Sequence, residues 1–357
     1  MKTRALKNYD SSVGVEVYDI DWNSSEELLE LGRIVADQCI VLVDEKIETQ
    51  KLYETMSQWG DDSRALIHNY IIGRKLEGRH WREIFLNLGY IAKGLGNMSS
   101  AVSRVSYQRD EKNRPKGIFA NGELDWHSDQ CSIDDAPRTI ALQSIEFSKN
   151  SQTQFLCTHD AYESLSSDMR SMVKELVCKH IWRSGDRGVA PKLNREQSLL
   201  IHYNSVPLDG LETRLYSENA TGRPGIKLPH HSFDGFVGMN MEESLKIIDS
   251  LNKAIYHDKY VYTQDWEDGQ TVFMDQEITL HKRPTNIEAG NKRMMNRVIT
   301  YLNKLYPEKQ PTTVVRLNGQ FLTHDEFAKL VDADRMRRFE LEQIEDEKNG
   351  ELELAHQ

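Results

Sequence analysis

Apolar positions along this chain recur with two distinct periods, and the change from one to the other marks its elements. Val13-Gly14-Val15-Glu16-Val17 alternates with a period of two, which predicts a half-buried strand. Ser24 then stands three residues before Glu27 and ahead of Leu28, Leu31 and Val35, the pattern of a capping box opening an amphipathic helix. Ile40-Val41-Leu42-Val43 is a short β-branched run that predicts a second strand, after which Thr49 is expected to cap a helix carrying Leu52, Met56 and Trp59. Stretches 139–145 and 153–157 predict core strands, and one helix is expected over about 160–176. Asn240 with Glu243 opens a further helix whose apolar stripe is Leu245, Ile248, Leu251 and Ile255. A turn at Gly269 leads into strand-like segments at 271–275, around His281 and over 297–302.

Two regions depart from this rhythm. Residues from about 61 to 100 mix charge with Trp81, Phe85 and Leu88 and are broken by Gly89, Gly94 and Gly96, so they predict a partly helical insertion that decorates the core rather than closing over it. From 323 to 357 the chain is densely charged, with Met336, Phe339, Leu341 and Ile344 loosely spaced. This predicts a surface or subunit-packing helix and leaves a homo-oligomer open. The expected organisation is a single domain over 1–322 with that insertion, followed by a charged helical tail. Many short strands with helices outside, rather than alternating βαβ units, place the fold in the α+β class with a β-sandwich or jelly-roll core.

Composition narrows the function. A chain of 357 residues with 38% hydrophobic positions can bury a sizeable core without staples. Cys39, Cys131, Cys157 and Cys178 form no Cys-x-x-Cys pair and no apolar segment opens the chain, so reduced thiols in a cytoplasmic setting are expected. No apolar run reaches the length of a membrane span, so no membrane partner is expected. The net charge of -11 argues against nucleic acid, which is gripped by clustered Lys and Arg. A small-molecule substrate is the remaining expectation.

The candidate chemistry centres on His127-Ser128-Asp129. With 12 His and 56 acidic residues in 357, roughly two His-x-Asp/Glu matches arise by chance, and the chain holds two. The other, His324-Asp325-Glu326, follows Thr323 and reads as first-turn acids of a helix. On a strand, side chains two apart share a face, so His127 and Asp129 can point together while Ser128 points away. With the distant His281 they can occupy one face of an octahedral Fe(II), leaving three positions open, and Arg293 and Arg297 can hold an acidic co-substrate. Taken alone, His281 reads as a core histidine and Arg297 as a surface ion-pair partner. Cys131 reads as a small buried thiol.

Trp126-His127-Ser128-Asp129 resembles the W-H-x-D signature of the taurine dioxygenase family of Fe(II)/2-oxoglutarate oxygenases. The likeness covers most of the chain. Gly14-Val15-Glu16-Val17 and 40–43 resemble the family's first strands, and Thr153 with Ala161-Tyr162-Glu163-Ser164-Leu165 its strand threonine and A-Y-E-x-L helix. Trp266, Gly269, Asp275 and His281 resemble its W-x-x-G, D and H elements, and Arg293-Met294-Met295-Asn296-Arg297 its R-x-M-x-R run. The resemblance implies a double-stranded β-helix (jelly roll) with flanking helices. It further implies that His127, Asp129 and His281 bind iron, that Thr153 and Arg293 hold the distal carboxylate of 2-oxoglutarate, and that Arg297 faces substrate or co-substrate. O2 would be the second co-substrate, succinate and CO2 the by-products, and retention of Asp129 favours hydroxylation of the substrate or a related oxidation such as desaturation or cyclisation.

The substrate is less legible. Glu123 and Gln130 stand where taurine-binding members carry a polar and an apolar residue, and Glu123 would repel a sulfonate, favouring a cationic, zwitterionic or neutral substrate. His230 and His231 sit where relatives contribute pocket residues. Gln270, and Gln276-Glu277 in place of the common Asn-Arg, depart from the family pattern at structural neighbours rather than ligands and leave the iron assignment intact. Two other readings of the triad remain, a jelly-roll metal hydrolase or isomerase and a non-catalytic metal-binding protein. Neither needs Arg293 and Thr153 as an anchor for a keto acid.

Overall fold

A computed structural model describes residues 1–63, 102–106, 108, 111, 124–181, 210–229, 232–284, 292–312, 314–323, 326–327 and 329–330. In chain order its elements begin with β1 (Lys2–Ala5), β2 (Val15–Tyr18), α1 (Ser25–Gln38), β3 (Ile40–Val43) and α2 (Thr49–Trp59). The middle supplies β4 (Val102–Ser106), β5 (Leu124–His127), β6 (Arg138–Glu146), β7 (Gln152–Cys157), α3 (His159–Glu163), α4 (Ser167–Glu175) and β8 (Val177–His180). There follow β9 (Leu211–Arg214), β10 (Tyr216–Glu218), β11 (Pro224–Ile226), β12 (Phe233–Phe236) and α5 (Met241–Ile255). The last elements are β13 (Val261–Asp265), β14 (Thr271–Asp275), β15 (Thr279–Arg283), β16 (Met294–Tyr301), β17 (Val314–Leu317) and β18 (Gln320–Thr323).

A seven-stranded sheet in the order β1-β2-β3-β14-β6-β16-β4 lies against a four-stranded sheet, β13-β7-β15-β5. Within these two sheets only the β2–β3 pairing is parallel. The period of two decides which face each residue serves. Ile40, Leu42, Ile140, Leu142, Val272 and Met274 of the larger sheet meet Phe155 and Cys157 of the smaller one in a shared apolar layer. Their neighbours Val41, Val43, Ala141 and Phe273 point the other way, under Leu28, Leu31 and Val35 of α1 and Leu52, Met56 and Trp59 of α2. On the far side of the smaller sheet, Leu156 and Leu280 pack with Tyr162, Leu251 and Ile255. Each fully buried Leu, Ile or Phe side chain in these layers contributes about 1.5–3 kcal/mol.

A further sheet runs β12-β8-β9-β17-β18, and its Cys178 and Phe236 join the apolar cluster on the far side of the smaller sheet. Where α2 ends, the chain runs so close to β16 that a Cβ on Gly60 would lie 1.9 Å from the Tyr301 carbonyl oxygen, so only glycine fits there. All four cysteines are free. Among the described residues no helix is long and apolar enough to cross a membrane.

Several local expectations need correction. Ser24 does cap α1 by accepting from the Glu27 N–H, but the Glu27 carboxylate reaches the Asp21 N–H and the N-terminal amine instead of closing the box. Thr49 does not cap α2; Glu48 holds that position, and the Thr49 hydroxyl donates to Gln143 and accepts from Asn296. The single helix expected over 160–176 is two, because Ser166 takes an extended conformation and caps α4 by accepting from the Met169 N–H. On α5 the Asn240–Glu243 box forms and Leu251 and Ile255 are buried, but Leu245 is 47% exposed. The insertion expected at 61–100 and the tail expected at 323–357 fall mostly outside the described residues.

Candidate metal centre

Strand pairing brings the two histidines together. β15 lies between β7 and β5, and its His281 is the direct partner of His127 across the antiparallel ladder. The imidazole centroids are 4.1 Å apart. Asp129, just beyond the end of β5, turns its carboxylate to the same side, and one donor atom from each of the three residues lies within 4.8 Å of the others.

Hydrogen bonding fixes the chemical state of these groups. His127 Nδ1 is 2.7 Å from the Asp125 carbonyl oxygen. A carbonyl only accepts, so Nδ1 carries a proton, and Nε2, 3.8 Å from Asp129 Oδ1, is the ring nitrogen that can offer a lone pair. Burial, and after it the neighbouring His127, push the His281 pKa down to about 3, so this ring is neutral at pH 7. Its Nδ1 is buried without a hydrogen-bond partner. Asp129 Oδ2 accepts from Arg297 Nη1 at 2.5 Å. Two neutral imidazoles and one carboxylate suit Fe(II), and a buried ring nitrogen without a partner is what a metal would satisfy.

The co-substrate candidates come from different sheets, Thr153 from β7 and Arg293 from the position just before β16. Thr153 Oγ1, on buried β7, accepts from the Trp266 indole N–H at 2.9 Å. Arg293, 4% exposed, directs Nη1 to the carbonyl of Gln152, the residue before Thr153, at 3.3 Å.

The taurine catabolism dioxygenase TauD, TfdA family matches residues 4–299. The chain belongs to that family. The family's name is that of a dioxygenase, and His127, Asp129 and His281 form a set that can hold a metal ion. The chain is 25% identical over 197 residues to pentalenolactone F synthase of Streptomyces arenae, covering 53% of this chain and 66% of that protein. It is 24% identical over 205 residues to an (S)-phenoxypropionate/alpha-ketoglutarate-dioxygenase of Sphingobium herbicidovorans, covering 55% of this chain and 70% of that protein. The alignment thus spans 66% of the pentalenolactone F synthase length, just under two thirds. A taurine dioxygenase structure from Burkholderia xenovorans superposes with a TM-score of 0.59 at 16% identity, over 92% of this chain and 98% of that one. The structure of AAD-2 in complex with Mn(II) and N-oxalylglycine gives 0.60 at 17% identity, over 84% and 97%. These structural likenesses establish that the TauD fold is shared.

Gln130, expected near the substrate, has a left-handed backbone (φ 58°) and accepts through Oε1 from Arg138 Nη1 at 2.9 Å and from Ser63 Oγ at 3.3 Å. Glu123, His230 and His231 lie outside the described residues. Sequence reasoning passed over Arg138 and Lys227 and took Gln276 for a neighbour that touches no ligand. Gln276 reaches the backbone of Asp129, and Arg138 and Lys227 flank the buried Glu277 at 3.0–3.1 Å. Burial alone would raise the Glu277 pKa, but Lys227 and then Arg138 outweigh it and hold the carboxylate below its usual range. The only signal in the sequence was the departure at Gln276-Glu277 itself.

Proposed function

We propose that the chain is an Fe(II)- and 2-oxoglutarate-dependent oxygenase that hydroxylates a small organic molecule, such as an amino acid derivative or a specialised metabolite, on a double-stranded β-helix (jelly-roll) core. The observation that carries this reading is the convergence of His127, Asp129 and His281 within 4.8 Å, from segments far apart in sequence. Bound Fe(II) supplies a centre where O2 is reduced as 2-oxoglutarate is decarboxylated to succinate and CO2, and the substrate is oxidised.

The protein's own residues set the conditions for that chemistry. His127 offers Nε2 because Asp125 holds the proton on Nδ1. Arg297 holds Asp129 Oδ2, so Oδ1 would be the oxygen that Asp129 offers to a metal. Arg293 reaches the carbonyl of the residue before Thr153, and the two would hold one carboxylate between them. Trp266 saturates a lone pair of the Thr153 hydroxyl and thereby turns its hydrogen toward a bound anion. A hydrolase or isomerase would have no use for that second, anion-binding pair.

Anaerobic addition of Fe(II) and then 2-oxoglutarate to metal-free protein tests the reading. A visible charge-transfer band in the wild type that is lost in His281→Ala supports it. Iron binding without the band would favour a hydrolytic or purely binding role.

A further inference from the structure

The turn between β14 and β15 does more than deliver His281. Its Gln276, 1% exposed, donates from Nε2 to Ser128 Oγ at 2.5 Å and to the Asp129 carbonyl, while Ser128 Oγ donates back to the Gln276 carbonyl at 2.8 Å. A carbonyl cannot donate, so the amide orientation is fixed and Oε1 is left buried without a partner. An unpaired buried oxygen is unfavourable, so the placement is dictated by what Nε2 holds.

The turn is itself rigid. Asp275 Oδ1 accepts from the N–H groups of Glu277 at 3.0 Å and Ile278 at 2.8 Å. Glu277 takes Arg138 through Nε at 3.1 Å and Nη2 at 3.0 Å, and Lys227 Nζ at 3.1 Å. Arg138 Nη1 in turn donates to Gln130 Oε1, holding the left-handed backbone that follows Asp129. Ser128, Asp129 and Gln130 are therefore each gripped from one turn, and that turn runs directly into the strand bearing His281.

We infer that residues 275–278 form a clasp that sets the position of Asp129 relative to His281, with Gln276 as its positioning residue. The inference rests on the metal-centre reading above. Ligands whose outer partners are removed usually lose ten- to a hundred-fold in metal affinity.

Co(II) is the probe, added to full-length wild type, His281→Ala, Gln276→Met and Ser128→Ala, with thermal unfolding of each metal-free protein recorded alongside. Gln276→Met keeps the length of the side chain and removes its N–H donors. The expected result is cooperative unfolding with Co(II) affinity lowered about ten- to a hundred-fold and a shifted visible spectrum. Ser128→Ala should move both readouts the same way by less, and it carries the test alone if Gln276→Met fails to fold. Wild-type affinity and spectrum in the folded variants, with His281→Ala still losing the metal, overturn the clasp and leave the centre standing. Wild type that binds no Co(II) overturns both.

Discussion

Arg297 Nη1 lies 2.5 Å from Asp129 Oδ2, while Oδ1 of the same carboxylate faces His127 Nε2 at 3.8 Å. One oxygen is committed to a guanidinium and the other to the proposed metal position. A charge-assisted hydrogen bond of this kind contributes about 1.5–3 kcal/mol. Arg297→Gln removes a cation that competes for Asp129 and frees both carboxylate oxygens, so Fe(II) binding should tighten by about ten-fold. Anaerobic Fe(II) titration checks the affinity, and unchanged binding would show that Arg297 serves another partner.

The Glu277 carboxylate is 4% exposed and pairs with Arg138 and Lys227, each 1% exposed. Glu277→Gln would leave two buried cations without their anion, at a cost of about 3–5 kcal/mol. Urea unfolding should show that loss. The double variant Glu277→Gln, Lys227→Met should recover part of it, because one stranded charge is removed.

Burial, and then the charge of Glu277, raise the Asp275 pKa from 3.8 to about 7. The folded protein thus holds this proton more tightly than the unfolded chain. Its contribution to stability is full below pH 3.8 and is lost as the pH rises through about 7. Asp275→Asn keeps an acceptor for the Glu277 and Ile278 N–H groups but cannot titrate. Its unfolding midpoint should fall less than that of the wild type between mildly acidic and mildly alkaline buffer. Parallel curves for the two proteins would contradict this assignment.

Thr153→Val preserves shape and removes the hydroxyl that Trp266 orients. The expected outcome is a KM for 2-oxoglutarate raised about ten-fold, the loss of one hydrogen bond to a charged group, with kcat little changed and Thr153→Ser near wild type. Succinate release at varied 2-oxoglutarate measures it. A change in kcat alone would place Thr153 elsewhere in the reaction.

Much of the architecture was written in local patterning. Stretch 40–43 is β3, and 139–145 and 153–157 lie within β6 and β7, because short β-branched, apolar runs suit strands covered on both faces whatever the partner strand. The Asn240 box survived because its two hydrogen bonds are local. Thr49 failed as a cap because distant partners, Gln143 and Asn296, compete for its hydroxyl. The same reason hid Arg138 and Lys227, whose meeting at Glu277 depends on strand order and not on spacing. The triad was legible only because His127 and Asp129 are close in sequence, with family likeness supplying His281. Glu123, His230 and His231 remain sequence-level candidates.

The pairing of His281 with His127 across neighbouring strands also orders events in the life of the chain. A ribosome that has released β5 but not β15 presents two of the three donors, and a one-residue slip between those strands would turn the third to the opposite face. Iron loading through all three donors therefore waits for β15, and a loaded metal reports that this strand has docked in register.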